Sequence, residues 1–437
     1  MAVRTTHRGP TLRRVRSARS ASGGASTRVR VSAAVARVGV AFGVVLATTI
    51  PILVGAPGVA ASSSVSSPLA VSLLASGQGW LLSSYRCAPD TCTRLEHTAD
   101  AGRTWTALHV PAPLQRLMRA SRGSNPTPQM FVYFATADDG WIYGSTPATP
   151  GSGTTRAVLW ETRDAGRTWS PVPIASPAMR FGVLAVSASR GYAYAIAWIS
   201  DQGFGLWRSP LTRGDWRRVR TPRLEMAAGG TSMGGALVFK GASGWLMVGN
   251  DRGVTGGARL TGTGRWVTWR GPCATVGGDF DVPVAYSASS LLDVCTIGGF
   301  GGDVAPGTPK SLAMATNWIF TSNDGGLTFA PTRQIGVGDP TTWLAQVSGL
   351  PASPAPGVVI VAKPVNQGPS SMEHLFETSN GGKTWTSVYT PPSESSAILL
   401  VTFGSSRLGA AIVQVAPSRS FLIVSNDGGR TWHRTGS

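Results

Sequence analysis

One octapeptide recurs along this chain of 437 residues. "TADAGRTW" begins at Thr98, "TRDAGRTW" at Thr162, "SNDGGLTF" at Ser322, "TSNGGKTW" at Thr378 and "SNDGGRTW" at Ser425. These boxes close on Trp105, Trp169, Phe329, Trp385 and Trp432, which leaves two wide gaps. Degenerate copies fill the gaps: "SPLTRGDW", ending at Trp216, and "LTGTGRW", ending at Trp266. Successive ends are then 64, 47, 50, 63, 56 and 47 residues apart. A period of that length marks a repeat architecture, in which a unit buries its apolar surface only against its neighbours.

A second marker keeps the same count. A turn and a short apolar strand precede each box: "GQGWLL" (Trp80), "DDGWIYG" (Trp141), "SRGYAYAIA" (Tyr192), "ASGWLMVG" (Trp245), "ASSLLDVC" (Leu292), "PGVVIVA" (Val359) and "SSRLGAAIV" (Leu408). Unit 2 shows the plan most clearly. Strand a is "MFVYFATA", strand b "WIYGS", strand c "AVLWET" and strand d "WSPVPI", with the box between c and d. Four-stranded units of this length are propeller blades. No segment keeps a helical period, and 55 Gly and 30 Pro suit many turns. The expected fold is all-β, a single seven-bladed β-propeller of four-stranded antiparallel blades over residues 68–437.

The box itself reads as a corner. Asp100, Asp164, Asp324 and Asp427 can accept bonds from N–H groups of their own loop, and Asn380 keeps an acceptor oxygen in unit 6. Gly102, Gly166, Gly326, Gly382 and Gly429 supply a positive φ, and the closing aromatic opens strand d. Units 3 and 4 lack the acceptor. An EF-type calcium loop needs alternating oxygen ligands and a closing Glu, whereas these boxes close on Thr and an aromatic.

These residues resemble the Asp-box, or bacterial neuraminidase repeat, of sialidases, xyloglucan hydrolases, sortilin-type receptors and photosystem II assembly-factor-like propellers. The "GW" strand is most similar to the last group. The resemblance covers roughly residues 68–437. It implies a propeller in which the box is structural and lies away from the functional face. It implies no one activity.

Charge and targeting come next. The formal net charge is +18. Residues 1–37 hold nine Arg and no acid, so the remainder carries 30 basic against 21 acidic residues, or +9. An apolar run, Val38 to Ala61, follows and closes on small residues. Residues 1–61 therefore read as a secretory signal, with 62–67 as a linker. The competing reading is an uncleaved membrane anchor, which Pro51 and Pro57 make less attractive. Either way the rest of the chain is placed outside the cytoplasm, so nucleic acid is not an expected partner. Four Cys lie in the exported part. An even count in an oxidising compartment favours disulfides, Cys87 with Cys92 and Cys273, read as ending strand d of unit 4, with Cys295, read as ending strand b of unit 5. With no CxxC pair and no paired His, neither a metal nor a cofactor is expected.

Strand order assigns the faces. The a–b turns and the boxes share one end of the ring; the long b–c and d–a loops share the other, where binding usually sits. Arg86, Arg94, Arg116, Arg119, Arg122 and Arg156 fall on or near that loop end in units 1 and 2. They suit a protein partner or an anionic envelope polymer or glycan. The enzymatic alternative is a glycoside hydrolase, sialidase-like or endo-glucanase-like, using Asp279, Asp281 and Asp303 as loop carboxylates. Against a sialidase stand the absence of Arg-Ile-Pro and a total of six Glu. Glu161 and Glu377, just ahead of boxes, read as structural. The expected protein is a monomeric, exported, non-enzymatic binder.

Overall fold

The alternation of short apolar strands and turns folds into seven antiparallel sheets, each a meander of consecutive strands. The computed structural model describes residues 66–87, 90–120, 129–147, 155–174, 182–199, 203–224, 233–250, 253–276, 283–297, 316–334, 358–364, 372–380, 384–393, 396–416 and 419–435. Blade 1 comprises β1 (Ser67–Leu73), β2 (Gly79–Cys87), β3 (Asp90–Thr98) and β4 (Thr106–Leu108). Blades 2, 3, 4, 5 and 7 repeat the four-strand plan. Blade 6 shows three strands, Val359–Pro364, Glu373–Thr378 and Thr386–Tyr389, and the residues ahead of them, 335–357, lie outside the description.

Apolar residues on both faces of the blades explain the near-continuous runs in strands b and c. In blade 1, Trp80 and Leu82 pack toward blade 2, while Leu81 between them packs toward blade 7. Separate apolar layers fill each of the seven blade–blade junctions around the ring. The ring closes without exchanging a strand, because blade 1 comes wholly from the N-terminal side and blade 7 wholly from the C-terminal side. The Ser420 amide donates to Ser67 Oγ at 2.8 Å, and the Ser420 hydroxyl donates to the Pro68 carbonyl at 2.7 Å. Val71, Leu73 and Leu81 bury against Leu408, Ala410, Ile412, Leu422 and Val424 beside them.

The boxes form one repeated set of hydrogen bonds. In blade 2 the Thr162 hydroxyl donates to Asp164 Oδ1 at 2.8 Å and accepts the Gly166 amide at 2.9 Å. Asp164 then accepts the Thr168 amide at 2.8 Å and the Thr168 hydroxyl at 2.6 Å. The Trp169 indole donates back to the Gly166 carbonyl at 3.0 Å. Boxes 1 and 7 repeat the whole pattern, and box 5 repeats all but the last bond, Phe329 having no N–H. In box 6 the Asn380 amide donates to the Thr384 hydroxyl at 2.8 Å, reversing one bond while Oδ1 keeps the rest. Gly382 lies outside the described residues. The bonds hold the acids ionised. The Thr104 hydroxyl and amide bring Asp100 down to about 2; in Asp427 burial pushes upward, but the Thr431 and Ser425 bonds win and leave it at about 2.

The boxes also join blades, which local turn chemistry does not anticipate. The residue after each Asp takes a positive φ, 62° at Ala101, 64° at Ala165, 76° at Gly325 and 83° at Gly428. Its amide donates to the a–b turn of its own blade: Ala101 to Gly77, Ala165 to Asp138, Gly325 to Ser289 and Gly428 to Arg407. In boxes 2 and 5 its carbonyl also receives the buried strand-b indole of the preceding blade, from Trp80 to Ala165 at 2.9 Å and from Trp245 to Gly325 at 3.1 Å. Trp141 faces the degenerate box of blade 3 and, among the described residues, its indole N–H has no acceptor. It packs edge-on to Trp216 instead, whose own N–H reaches Glu161 at 3.1 Å.

One helix was not anticipated as such. Residues Ala112–Ala120 form α1 in the segment between blades 1 and 2. Pro111 and Pro113 sit at its start, where a missing N–H costs nothing, and nine residues are too few for a helical period to stand out.

The indole bonds lead to a prediction. Trp80→Phe and Trp141→Phe share a similar loss of packing, but only the first strands a carbonyl. Trp80→Phe should be the more destabilising by about 1–2 kcal/mol in thermal or urea unfolding. Equal losses would show that the inter-blade bond contributes nothing.

Candidate functional site

The loop end of blades 1 and 2 is a held framework. The b–c hairpin of blade 1 is closed by the Cys87–Cys92 disulfide. Helix α1 is pinned beside it. Leu114 is fully buried, and the Gln115 side chain both accepts the Thr93 amide, at 3.1 Å, and donates to the Thr93 carbonyl. On this framework Arg86 ends β2, Arg116 stands on α1 and Arg156 opens strand c of blade 2 (Thr155–Thr162), and all three are exposed. Arg94 is more restrained. It lies over the Tyr85 ring at 5.0 Å and pairs with Glu96 at 3.7 Å. Arg119 belongs to α1, and Arg122 lies outside the described residues.

The second disulfide, Cys273–Cys295, ties blade 4 to blade 5. Cys273 sits in a short helix, α2 (Pro272–Val276), and not at the end of a strand. Asp293, in strand b of blade 5 (Leu291–Ile297), lies within reach of both sulfurs, but these bond to each other and so do not offer metal ligands.

Asp279, Asp281 and Asp303 lie outside the described residues. Three acids inside the description, Glu161, Glu373 and Asp293, have structural occupations. Glu161 accepts the Trp216 indole at 3.1 Å and pairs with Arg163 at 3.6 Å, so it links blades 2 and 3. Glu373 accepts the Ile398 amide at 2.7 Å and links blade 6 to blade 7. Asp293 is fully buried. Burial raises its carboxyl to about 7, against the one bond it accepts, from the Val294 amide.

Six arginines that sequence reasoning did not single out gather between blades 3 and 4. Arg208, Arg213, Arg217, Arg218, Arg220 and Arg265 line one groove of about 830 Å³. All six are exposed. The available signal was the arginine run itself, four in "LTRGDWRRVR", with Arg265 in "GTGRW" of the next unit.

No protein-family model and no curated protein sequence matches the chain. Solved structures do match in fold. YCF48 from Cyanidioschyzon merolae is 13% identical, with a TM-score of 0.51 over 84% of this chain and 96% of that one. YCF48 bound to a D1 peptide is 15% identical, with a TM-score of 0.50 over 83% and 94%. A polysaccharide lyase of family PL25, an ulvan lyase bound to a GlcA–Rha3S saccharide, is 10% identical, with a TM-score of 0.55 over 85% and 96%. The likeness to all three is one of fold.

Asp293 carries a pH prediction. Its proton is held in the fold up to about pH 7 and lost near pH 3.8 in the unfolded chain, so stability falls as pH rises between those values. The full effect is roughly 4 kcal/mol, at about 1.4 kcal/mol per pH unit. Asp293→Asn should therefore gain on the natural protein as pH rises from 4 to 8 in thermal unfolding. Parallel pH profiles would show that the carboxyl ionises freely in the fold.

Proposed function

We propose that the chain is an exported, non-enzymatic propeller of the Asp-box kind that holds a partner at the loop end of blades 1 and 2. The partner is an acidic protein or an anionic envelope polymer. Arg86, Arg94, Arg116, Arg119, Arg122 and Arg156 are its contacts. One observation carries the reading: exposed Arg86 and Arg116 stand on elements that a disulfide, a buried leucine and a glutamine clamp hold in place, and exposed Arg156 stands on strand c of the next blade. Guanidinium groups on a fixed frame recognise carboxylate or phosphate with little ordering cost. The complex of YCF48 with a D1 peptide offers a precedent for partner binding on a propeller of this blade plan.

Export rests on the arginine-rich start, the apolar run from Val38 to Ala61 and the two disulfides, which suit an oxidising compartment. Among the described residues no helix is long and apolar enough to cross a membrane.

Capture from envelope extracts tests the reading. The full chain and an Arg86→Glu/Arg116→Glu/Arg156→Glu variant of equal thermal stability are compared. One species should be retained by the first and weakened tenfold or more in the second, and also by added salt. Equal capture by both would remove the arginine cluster from the function. Glycan cleavage by the natural chain that disappears in Asp279→Asn/Asp281→Asn would replace the binder with a hydrolase.

A further inference from the structure

The groove between blades 3 and 4 is separate from the loop end of blades 1 and 2. Its lining follows the chain from Pro210 through the degenerate box of blade 3, along the outer strand Arg217–Val219 and on to Pro222. Gly264, Arg265 and Trp266 make the opposing wall, from the degenerate box of blade 4. Guanidinium groups thus approach from both sides of the cleft. Asp215 is the only acid among the described residues of the lining. It pairs with Arg217 at 2.6 Å, but the two side chains are 50% and 80% exposed. Such a pair is worth little in water and is easily exchanged for a better anion. A partner with several negative groups suits such a lining.

The apolar part of the lining narrows the choice. Trp266 is 7% exposed and is occupied in the core between the blades. Tyr192, 36% exposed, is one of the few large hydrophobic side chains at the surface, and the Arg208 guanidinium lies 4.8 Å from its ring centroid. Protein partners draw most of their binding energy from aromatic or aliphatic anchors sunk in dry sockets, and this lining has rings and a charged rim in place of a socket. A sugar acid suits it better. A pyranose lays its C–H face against an aromatic surface, while its carboxylate takes two parallel bonds from an arginine fork. At about 830 Å³ the groove lies toward the upper end of the range for ligand clefts, room for more than one sugar ring.

We propose that this groove is a second binding site, for a linear acidic polysaccharide that presents uronate carboxylates along its chain. Arg213 and Arg265 grip the polymer from opposite walls, and Arg208 with Tyr192 forms the plate for a sugar ring.

Calorimetric titration of the full chain with polygalacturonate, at low salt, is the test. Neutral dextran, and poly-glutamate of matched charge, serve as comparison polymers. Arg213→Ala/Arg265→Ala, exposed positions whose change should leave the thermal midpoint in place, is expected to weaken polygalacturonate binding tenfold or more. Arg86→Ala/Arg116→Ala is expected to bind it as the natural chain does. The proposal falls if the first variant binds normally, if dextran binds as well, or if no polymer binds. It also falls if poly-glutamate displaces polygalacturonate at equal charge, which would make the occupant an acidic protein segment. Loss confined to the Arg86/Arg116 variant would place the polymer at the loop end, overturning the groove while supporting the loop-end reading.

Discussion

The box turns on one residue, the one that follows its Asp. The residue after the box Asp is bent into a positive φ, so its N–H points into its own blade and its C=O points at the blade before it. In boxes 2 and 5, two bonds from that residue hold the a–b turn to the c–d turn and join neighbouring blades. A buried backbone group without a partner is costly, so the corner, the turn and the junction form together. The box Asp makes this possible without entering the junction, because it occupies the amides and hydroxyls that would otherwise compete.

The same arrangement separates framework from surface. Where the box is intact, its polar atoms are consumed internally and its glycine lies against the preceding blade. Gly166 meets Leu108 and Leu95, and Gly429 meets Ile360, so neither position has room for chemistry. Where the box is degenerate, other groups hold the junction. Trp216 reaches Glu161, and Trp141 packs on Trp216. Between blades 3 and 4, six arginines line a groove. The loop end of blades 1 and 2 is built differently, by covalent closure at Cys87–Cys92 and by the Gln115 clamp on Thr93.

Much of this was legible in the sequence. The seven blades, their strand order and both disulfides follow from two markers that repeat in phase and from an even cysteine count. The internal bonds of the box were legible too, since Asx turns and glycine corners act over four residues. Helix α1 was not, because two prolines and nine residues give no period to read. The position of Cys273 in a short helix was missed for a similar reason. The arginine groove escaped because its walls belong to different repeats: Arg213 and Arg265 lie far apart along the chain and meet only when blade 3 stacks on blade 4.

The sequence alone therefore determined the number of blades, the order of strands within them, the chemistry of each corner and which end of the ring carries the long loops. All of these are set by contacts between residues near one another in the chain. Tertiary structure decided which tryptophan meets which carbonyl, how blade 7 meets blade 1 through Ser420 and Ser67, and where arginines from separate units converge. Those outcomes arise from packing one blade on the next, and a repeat pattern counts the blades without stating what their facing surfaces bring together.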